Sequence, residues 1–289
     1  EEMVLERPTA QLLSDVDIVF VSATGAVSSE LAPMAVEQGA LVIDDSSVFR
    51  MSSSVPLVVP EVNADDLKDH CGIVAIPNCS TTPLVMVLKP LNDLNPIRRV
   101  IVDTYQSVSG TGSVAVEELR VQTDQILKNE VVDPGVYPHQ IAFNLLPHIE
   151  PFLPNGYTKE EMKVVEETRK ILHLPALLLS ATCVRVPVMI GHSEAVHIEF
   201  DKVISPLEVR RILCDAAGIR VIDDPELNIY PMPIDAVESD DVLVGRIRQD
   251  ESCTNGIALW LSCDNLRKGA ALNAIQIAES IMDMDLIGI

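Results

Sequence analysis

Residues 16–44 read VDIVFVSATGAVSSELAPMAVEQGALVID, and this stretch decides the fold. Residues 16–21 are a short apolar run of the kind a buried strand requires. Residues 22–28, Ser22-Ala23-Thr24-Gly25-Ala26-Val27-Ser28, form a loop of small side chains. Residues 29–38 carry a helical pattern that Gly39 stops, and residues 40–44 are a second apolar strand. A strand, a helix and a strand joined by short loops predict parallel βαβ units in a doubly wound α/β sheet. Backbone amides at the carboxyl end of such a strand approach phosphates closely, so Ser22, Ala23 and Thr24 are candidate nucleotide contacts. Tight loops of small residues also serve as plain turns, and that reading stands beside the first.

The next informative string is Asn78-Cys79-Ser80-Thr81-Thr82-Pro83. It follows the apolar run Gly72-Ile73-Val74-Ala75-Ile76 and precedes a helical pattern of Leu84, Val85, Val87, Leu88 and Leu91. Pro83 suits a first helical turn, so Cys79 falls at a strand-to-helix junction. Unpaired amides and the helix dipole favour a thiolate there, which makes Cys79 a candidate covalent catalyst. The plainer reading is a buried, inert thiol.

Composition narrows the function. The 289 residues are 47% apolar, enough for one large or two ordinary cores. A net charge of −22 opposes nucleic-acid binding, which needs an excess of Lys and Arg. An anionic substrate must therefore meet a local basic cluster. Six scattered cysteines (71, 79, 183, 214, 253 and 263) form no CxxC pair, and no His stands at zinc-finger spacing, so no metal site is expected. Four of them lie in apolar runs and read as reduced core thiols of a cytoplasmic protein. No run approaches the length of a membrane span, and the first residues, Glu1-Glu2-Met3-Val4-Leu5-Glu6, do not read as a signal peptide.

Beyond residue 99 the pattern changes to α+β. Strands are expected at 99–105, 177–187, 195–200, 242–247 and 257–262. Helices are expected at 113–129, capped by Ser113, from Thr158 with Glu161 completing a capping box, at 207–217, and at 266–284. The second region reads as an insertion before the last helix. The expected division is residues 1–79 with 264–289 as a partial nucleotide-binding domain, and 80–263 as a catalytic and dimerisation domain.

Six strings stand in a fixed order: SSVFRM with VPEVN after it, IPNCSTTP, TYQSVSGTG, EEMKVVEETRKIL, CVRVPVMIGHSEAV and DNLRKGAALN. Together they closely resemble the aspartate-semialdehyde dehydrogenase family over almost the whole chain. The resemblance implies a Rossmann-like domain, NADP as cofactor and a homodimer. It implies oxidation of L-aspartate 4-semialdehyde with phosphate to 4-phospho-L-aspartate, a step in lysine, threonine and methionine synthesis. Cys79 then matches the nucleophile, His192 the general acid/base and Gln106 the residue that orients the intermediate. Arg185 matches the binder of the substrate carboxylate, Glu160 the acid at its amine, and Arg50 with Lys163 the phosphate pair. Ser109, Gly110 and Asn265 match cofactor contacts. The residue types suit these roles. A thiolate can add to an aldehyde, histidine titrates near working pH, and a guanidinium fork binds two carboxylate oxygens.

Two features depart from the family's pattern. The amino end lacks a first strand with its GxTGxVG-type loop, and Thr24 stands where glycine is frequent. A fragment and a short homologue with weakened NADP binding both explain this. An N-acetyl-γ-glutamyl-phosphate reductase-like enzyme and a redox-inactive homologue keeping the dimerisation domain are the alternative functions.

Overall fold

The computed structural model describes residues 6–287. The chain divides into two compact units, one running to Pro77 and resuming at Asn273, the other Asn78–Leu272.

The first unit is built on β1 (Ile18–Val21), β2 (Leu41–Asp44) and β3 (Ile73–Ala75), all parallel, in the order β1-β2-β3. Helix Gly25–Glu37 connects β1 to β2. Every residue of β2 is buried, as a parallel strand covered on both faces requires. On one face Ile277, Ala278 and Ile281 of helix Leu272–Asp283 pack against Leu41, Ile43 and Val74. On the other, the small side chains Ala32 and Ala35 let helix Gly25–Glu37 lie close to Val21 and Val42. This is the expected βαβ arrangement. The helix begins at Gly25 rather than at residue 29, because Ala26, Val27 and Ser28 are compatible with a helix although they carry no apolar period. The loop is thereby shortened to Ser22, Ala23 and Thr24.

The second unit carries a six-stranded mixed sheet in the order β5-β4-β6-β9-β8-β7. Its strands are β4 (Ile97–Gln106), β5 (Leu178–Arg185), β6 (His192–Phe200), β7 (Ile219–Val221), β8 (Val242–Gln249) and β9 (Gly256–Cys263). Strand β4 joins the two halves of this pattern: it pairs in parallel with β5 and antiparallel with β6. Val100, Val102, Thr104 and Gln106 alternate onto its buried face, while Ile101, Asp103 and Tyr105 stay half-exposed. Helices Thr81–Leu94 and Lys159–Ile171 pack on each other, the first reaching β9 and the second β5. Leu84, Leu88 and Leu91 are fully buried, each contributing roughly 1.5–3 kcal/mol.

The capping box expected at Thr158 and Glu161 is present, both reciprocal hydrogen bonds being made. Ser113 is not the cap of its helix. Gly112 holds that position at φ 105°, a conformation that glycine adopts easily, and Ser113 is the first helical residue. The closing segment is also not one helix from 266 to 284. A wide π-type turn at Arg267–Ala271 precedes helix Leu272–Asp283. Among the described residues, no helix is long and apolar enough to cross a membrane.

Truncating Leu88 to alanine removes a side chain with no exposure from the helix that follows Cys79. The expected cost is about 2–5 kcal/mol, read as a lowered urea midpoint with an unchanged slope.

Candidate active site

The carboxyl ends of β4 and β5 and the first residue of β6 bring the site together. Gln106 ends β4, Arg185 ends β5 directly opposite it, and His192 opens β6. Gly191, at φ 96°, turns the chain into β6, and a Cβ there would meet the Pro233 carbonyl at 2.9 Å. Cys79 lies just before Ser80, the N-cap of helix Thr81–Leu94. Its Sγ is 3.3 Å from His192 Nε2.

The imidazole is held from behind. The backbone N–H of Ser107 donates to Nδ1 at 3.1 Å, and Ser107 Oγ lies 3.0 Å from the same nitrogen. A backbone N–H can only donate, so Nδ1 accepts and the proton of the neutral ring sits on Nε2, facing the sulfur. Burial, with the nearby Arg185 charge, holds His192 well below the usual histidine range. Asn265 braces this arrangement. Its Oδ1 accepts from Gly191 N–H at 3.0 Å and from the hydroxyls of Ser107 and Ser109 at 3.1 Å. Gly110 lies close to the same groups: a Cβ there would meet Arg185 Nη1 at 3.1 Å and His192 Nε2 at 3.2 Å.

The sulfur is positioned through Asn78. Its backbone N–H donates to Glu167 at 2.7 Å, its amide nitrogen to Glu160 at 2.9 Å, and its Oδ1 accepts from Ser80 N–H at 2.9 Å. Gln106 donates to Ser80 Oγ at 2.6 Å and to Glu160 Oε1 at 3.3 Å. Burial alone would push the Glu160 carboxyl up. The Lys163 charge and hydrogen bonds from Asn78, Lys163 and Gln106 outweigh it and hold the group below the carboxylate range. Burial likewise opposes the Lys163 charge, and the Glu160 and Glu150 carboxylates, 3.2 and 2.6 Å away, more than restore it. Arg185 donates from Nη1 to the Ser107 carbonyl at 2.7 Å, and its Nε has no partner among the described residues.

Cys79, Gln106, Gly110, Glu160, Lys163 and Arg185 all line one cavity of about 370 Å³. Its far wall is the loop around Val136, Tyr137 and Pro138, whose role the sequence did not reveal. Two side chains of helix Ser113–Leu127 pin that wall. Glu118 accepts from the N–H groups of Gly135 and Val136 at 3.1 and 2.5 Å, and Gln122 from those of Ile141 and Ala142 at 2.9 and 3.1 Å. Tyr137 then donates to Thr111 Oγ1 at 3.0 Å. The acid and amide stand four residues apart on one helix face, the single sign of this clamp visible in the sequence.

In the first unit, Ser22, Ala23 and Thr24 are exposed after β1. Thr24 caps helix Gly25–Glu37 without a side-chain hydrogen bond, which leaves the first amides of a 13-residue helix to a ligand. The loop therefore fits a phosphate-bearing cofactor. Ser22 donates to Asp45 at 3.2 Å, and Arg50, largely buried, donates to the Asp45 carbonyl at 2.8 Å.

None of the six cysteines is in a disulfide. Only Cys183 and Cys263 are buried, so the expectation of mostly core thiols is corrected: Cys71 lies in the turn before β3, and Cys214 ends its helix pointing away from the core that takes Leu213. No group of residues able to hold a metal ion occurs among the described residues.

Two family models match the chain. Residues 1–70 match the semialdehyde dehydrogenase NAD binding domain, and residues 88–268 the semialdehyde dehydrogenase dimerisation domain. The chain is 48% identical to the aspartate-semialdehyde dehydrogenase of Bacillus subtilis (strain 168), over 99% of its own length and 85% of that protein's. It is 52% identical to the enzyme of Aquifex aeolicus (strain VF5), covering 94% of this chain and 81% of the relative. Among solved structures, aspartate semialdehyde dehydrogenase II from Vibrio cholerae superimposes with a TM-score of 0.92 at 45% identity, over 94% of this chain and 81% of that one. The same enzyme complexed with ASA gives 0.91 at 45% identity, with the same coverage. The Candida albicans enzyme with NADP gives 0.74 at 28% identity, over 94% and 79% of the two chains. With its folded units and its cysteine–histidine pair in place, the chain belongs to the semialdehyde dehydrogenase family, among the aspartate-semialdehyde dehydrogenases.

Proposed function

We propose that this chain catalyses the reversible, NADP-dependent, phosphorylating oxidation of L-aspartate 4-semialdehyde to 4-phospho-L-aspartate through a thioester on Cys79. The observation that carries the reading is the 3.3 Å approach of Cys79 Sγ to His192 Nε2 beside a cavity with one guanidinium and one carboxylate–ammonium pair on its walls.

The Cys79 thiolate, favoured by the helix start and by the Nε2–H donor, adds to the aldehyde carbon. Negative charge passes from sulfur to the former carbonyl oxygen, within reach of Nε2, the ring atom through which His192 exchanges its proton. When bound, NADP supplies the hydride acceptor that converts the hemithioacetal into the thioester. A phosphate oxygen then attacks the acyl carbon, the C–S bond breaks and Cys79 leaves as thiolate. Gln106, fixed by Ser80 and Glu160, orients the intermediate. Arg185 holds the substrate carboxylate with its remaining N–H groups, Glu160 the ammonium, and Lys163 with Arg50 the phosphate. An acylated nitrogen carries no charge for Glu160 to meet, which favours the free amino acid over an N-acetylated substrate. Ser22, Ala23 and Thr24 hold a cofactor phosphate at the uncapped helix start, and Ser109, Gly110 and Asn265 the reacting end. A second copy docks on the open sheet face, where Tyr105 and Trp260 lie half-exposed, tilted by 45° with centroids 5.1 Å apart. Cysteines outside any disulfide fit a reducing compartment, and the reaction belongs in the cytoplasm.

Incubated with L-aspartate 4-semialdehyde, phosphate and NADP, the protein forms NADPH, and Cys79→Ser lowers the rate at least about a thousandfold. A rate independent of Cys79 rejects the mechanism. Glu118→Ala frees the cavity wall, and KM for the aldehyde rises about tenfold with a smaller change in kcat. The depressed His192 contributes stability that is fully present above about pH 6.5 and is lost as pH falls toward its folded value. Urea midpoints measured from pH 7.5 down to 5 therefore fall less steeply for His192→Gln than for the parent.

A further inference from the structure

One buried acid takes no part in the chemistry above. Glu194 has no exposed surface, and neither carboxylate oxygen has a hydrogen-bond partner among the described residues. It stands two residues after His192 on β6, on the same face of the sheet. The register places Thr104 of β4 on one side of it and Leu261 of β9 on the other. Thr104 is also fully buried, and its hydroxyl has no partner of proper geometry, the Cys183 thiol beside it being a weak one. Two orphaned polar groups thus face each other one rung behind the row formed by Arg185, Gln106, His192 and Cys263.

An antiparallel pair holds opposed Cβ atoms about 4.5–5.5 Å apart, so a side-chain rotation brings a carboxyl oxygen to the Thr104 hydroxyl. An ionised carboxylate can only accept, whereas a protonated carboxyl also donates and is far cheaper to bury. Burial pushes Glu194 well above the carboxylate range, and no cation offsets it. The ionisable groups on the surrounding elements are Cys183 and Arg185 of β5, Cys263 of β9, Cys79, and Glu160 with Glu161 of helix Lys159–Ile171. Glu194 acts on the Cys183 and Cys263 thiols, and Cys79 acts on Cys263, so the four belong to one electrostatic neighbourhood.

We propose that Glu194 is a positioning residue that works as a neutral carboxylic acid, hydrogen-bonded with Thr104, and so keeps the rung behind Cys79 and His192 free of negative charge. A charged Glu194 would oppose both the Cys79 thiolate and the oxyanion that forms from it. The consequence for catalysis rests on Cys79 being the nucleophile, whereas the state of Glu194 does not.

Infrared spectroscopy of the intact protein at pH 7.5 tests the state directly. A protonated-carboxyl C=O band is expected in the parent, absent in Glu194→Gln and shifted in Thr104→Val. Its absence from the parent overturns the proposal, and an unmoved band in Thr104→Val overturns the pairing. Alkylation of Cys79 by iodoacetamide, followed across pH, tests the consequence. Glu194→Gln, neutral and of the same shape, should react within about twofold of the parent with an unchanged midpoint. A midpoint lowered by about one unit, a tenfold gain in thiolate, would show that Glu194 had been charged. A parent Cys79 no more reactive than Cys71 would instead reject the nucleophile and leave the infrared result standing.

Discussion

The site depends on the grip that helix Lys159–Ile171 keeps on Asn78. Two buried carboxylates on one helix face, Glu160 and Glu167, take its amide and its backbone N–H. Asn78 in turn fixes Ser80 through its side-chain oxygen, so the residue between them, Cys79, has little freedom left. Without those bonds the tight strand-to-helix junction would bury unpaired backbone groups. The same Glu160 accepts from Gln106 and pairs with Lys163, so Cys79, Gln106 and Lys163 share one anchor.

Charge is concentrated with the same sharing of parts. In a chain with net −22, the cavity still gathers two cations, Lys163 and Arg185. Lys163 keeps its charge because two carboxylates flank it. Arg185 is fixed by the Ser107 carbonyl, the residue whose N–H also sets the His192 ring. The backbone at Ser107 therefore holds both Arg185 and His192. An uncharged Glu194 completes the arrangement by adding no anion behind them.

Much of this was legible in the sequence. The junction at Cys79 follows from an apolar strand, a helix pattern and Pro83, all local signals. The Thr158–Glu161 box is equally local and is present. What failed was also local in origin. Ser113 reads as a cap by residue type, but the left-handed Gly112 takes that place. The final helix reads as continuous because no proline marks the π-type turn at Arg267–Ala271. What could not be read was the tertiary pairing. The clamp of Glu118 and Gln122 on the 135–142 loop and the face-to-face placement of Thr104 and Glu194 exist only once β4, β6 and the loop are assembled. Apart from Cys79 and the Ser22-Ala23-Thr24 loop, the motif residues carry no local pattern and stand out only by family resemblance.

The strand order β5-β4-β6-β9-β8-β7 also governs when Cys79 and His192 can meet. Cys79 and His192 are separated by 113 positions, so the thiol leaves the ribosome on the order of ten seconds before its partner exists. β6 must then find β4 across an intervening parallel strand, a non-local pairing that forms late. Through that interval the sulfur lacks the imidazole that favours its ionised form. His192 itself pairs with Cys263 of β9, a strand made later still, so its surroundings close only after both residues are present. For the nucleophile proposed above the topology thus acts as a timer, since thiol and imidazole meet only as the sheet around them is completed.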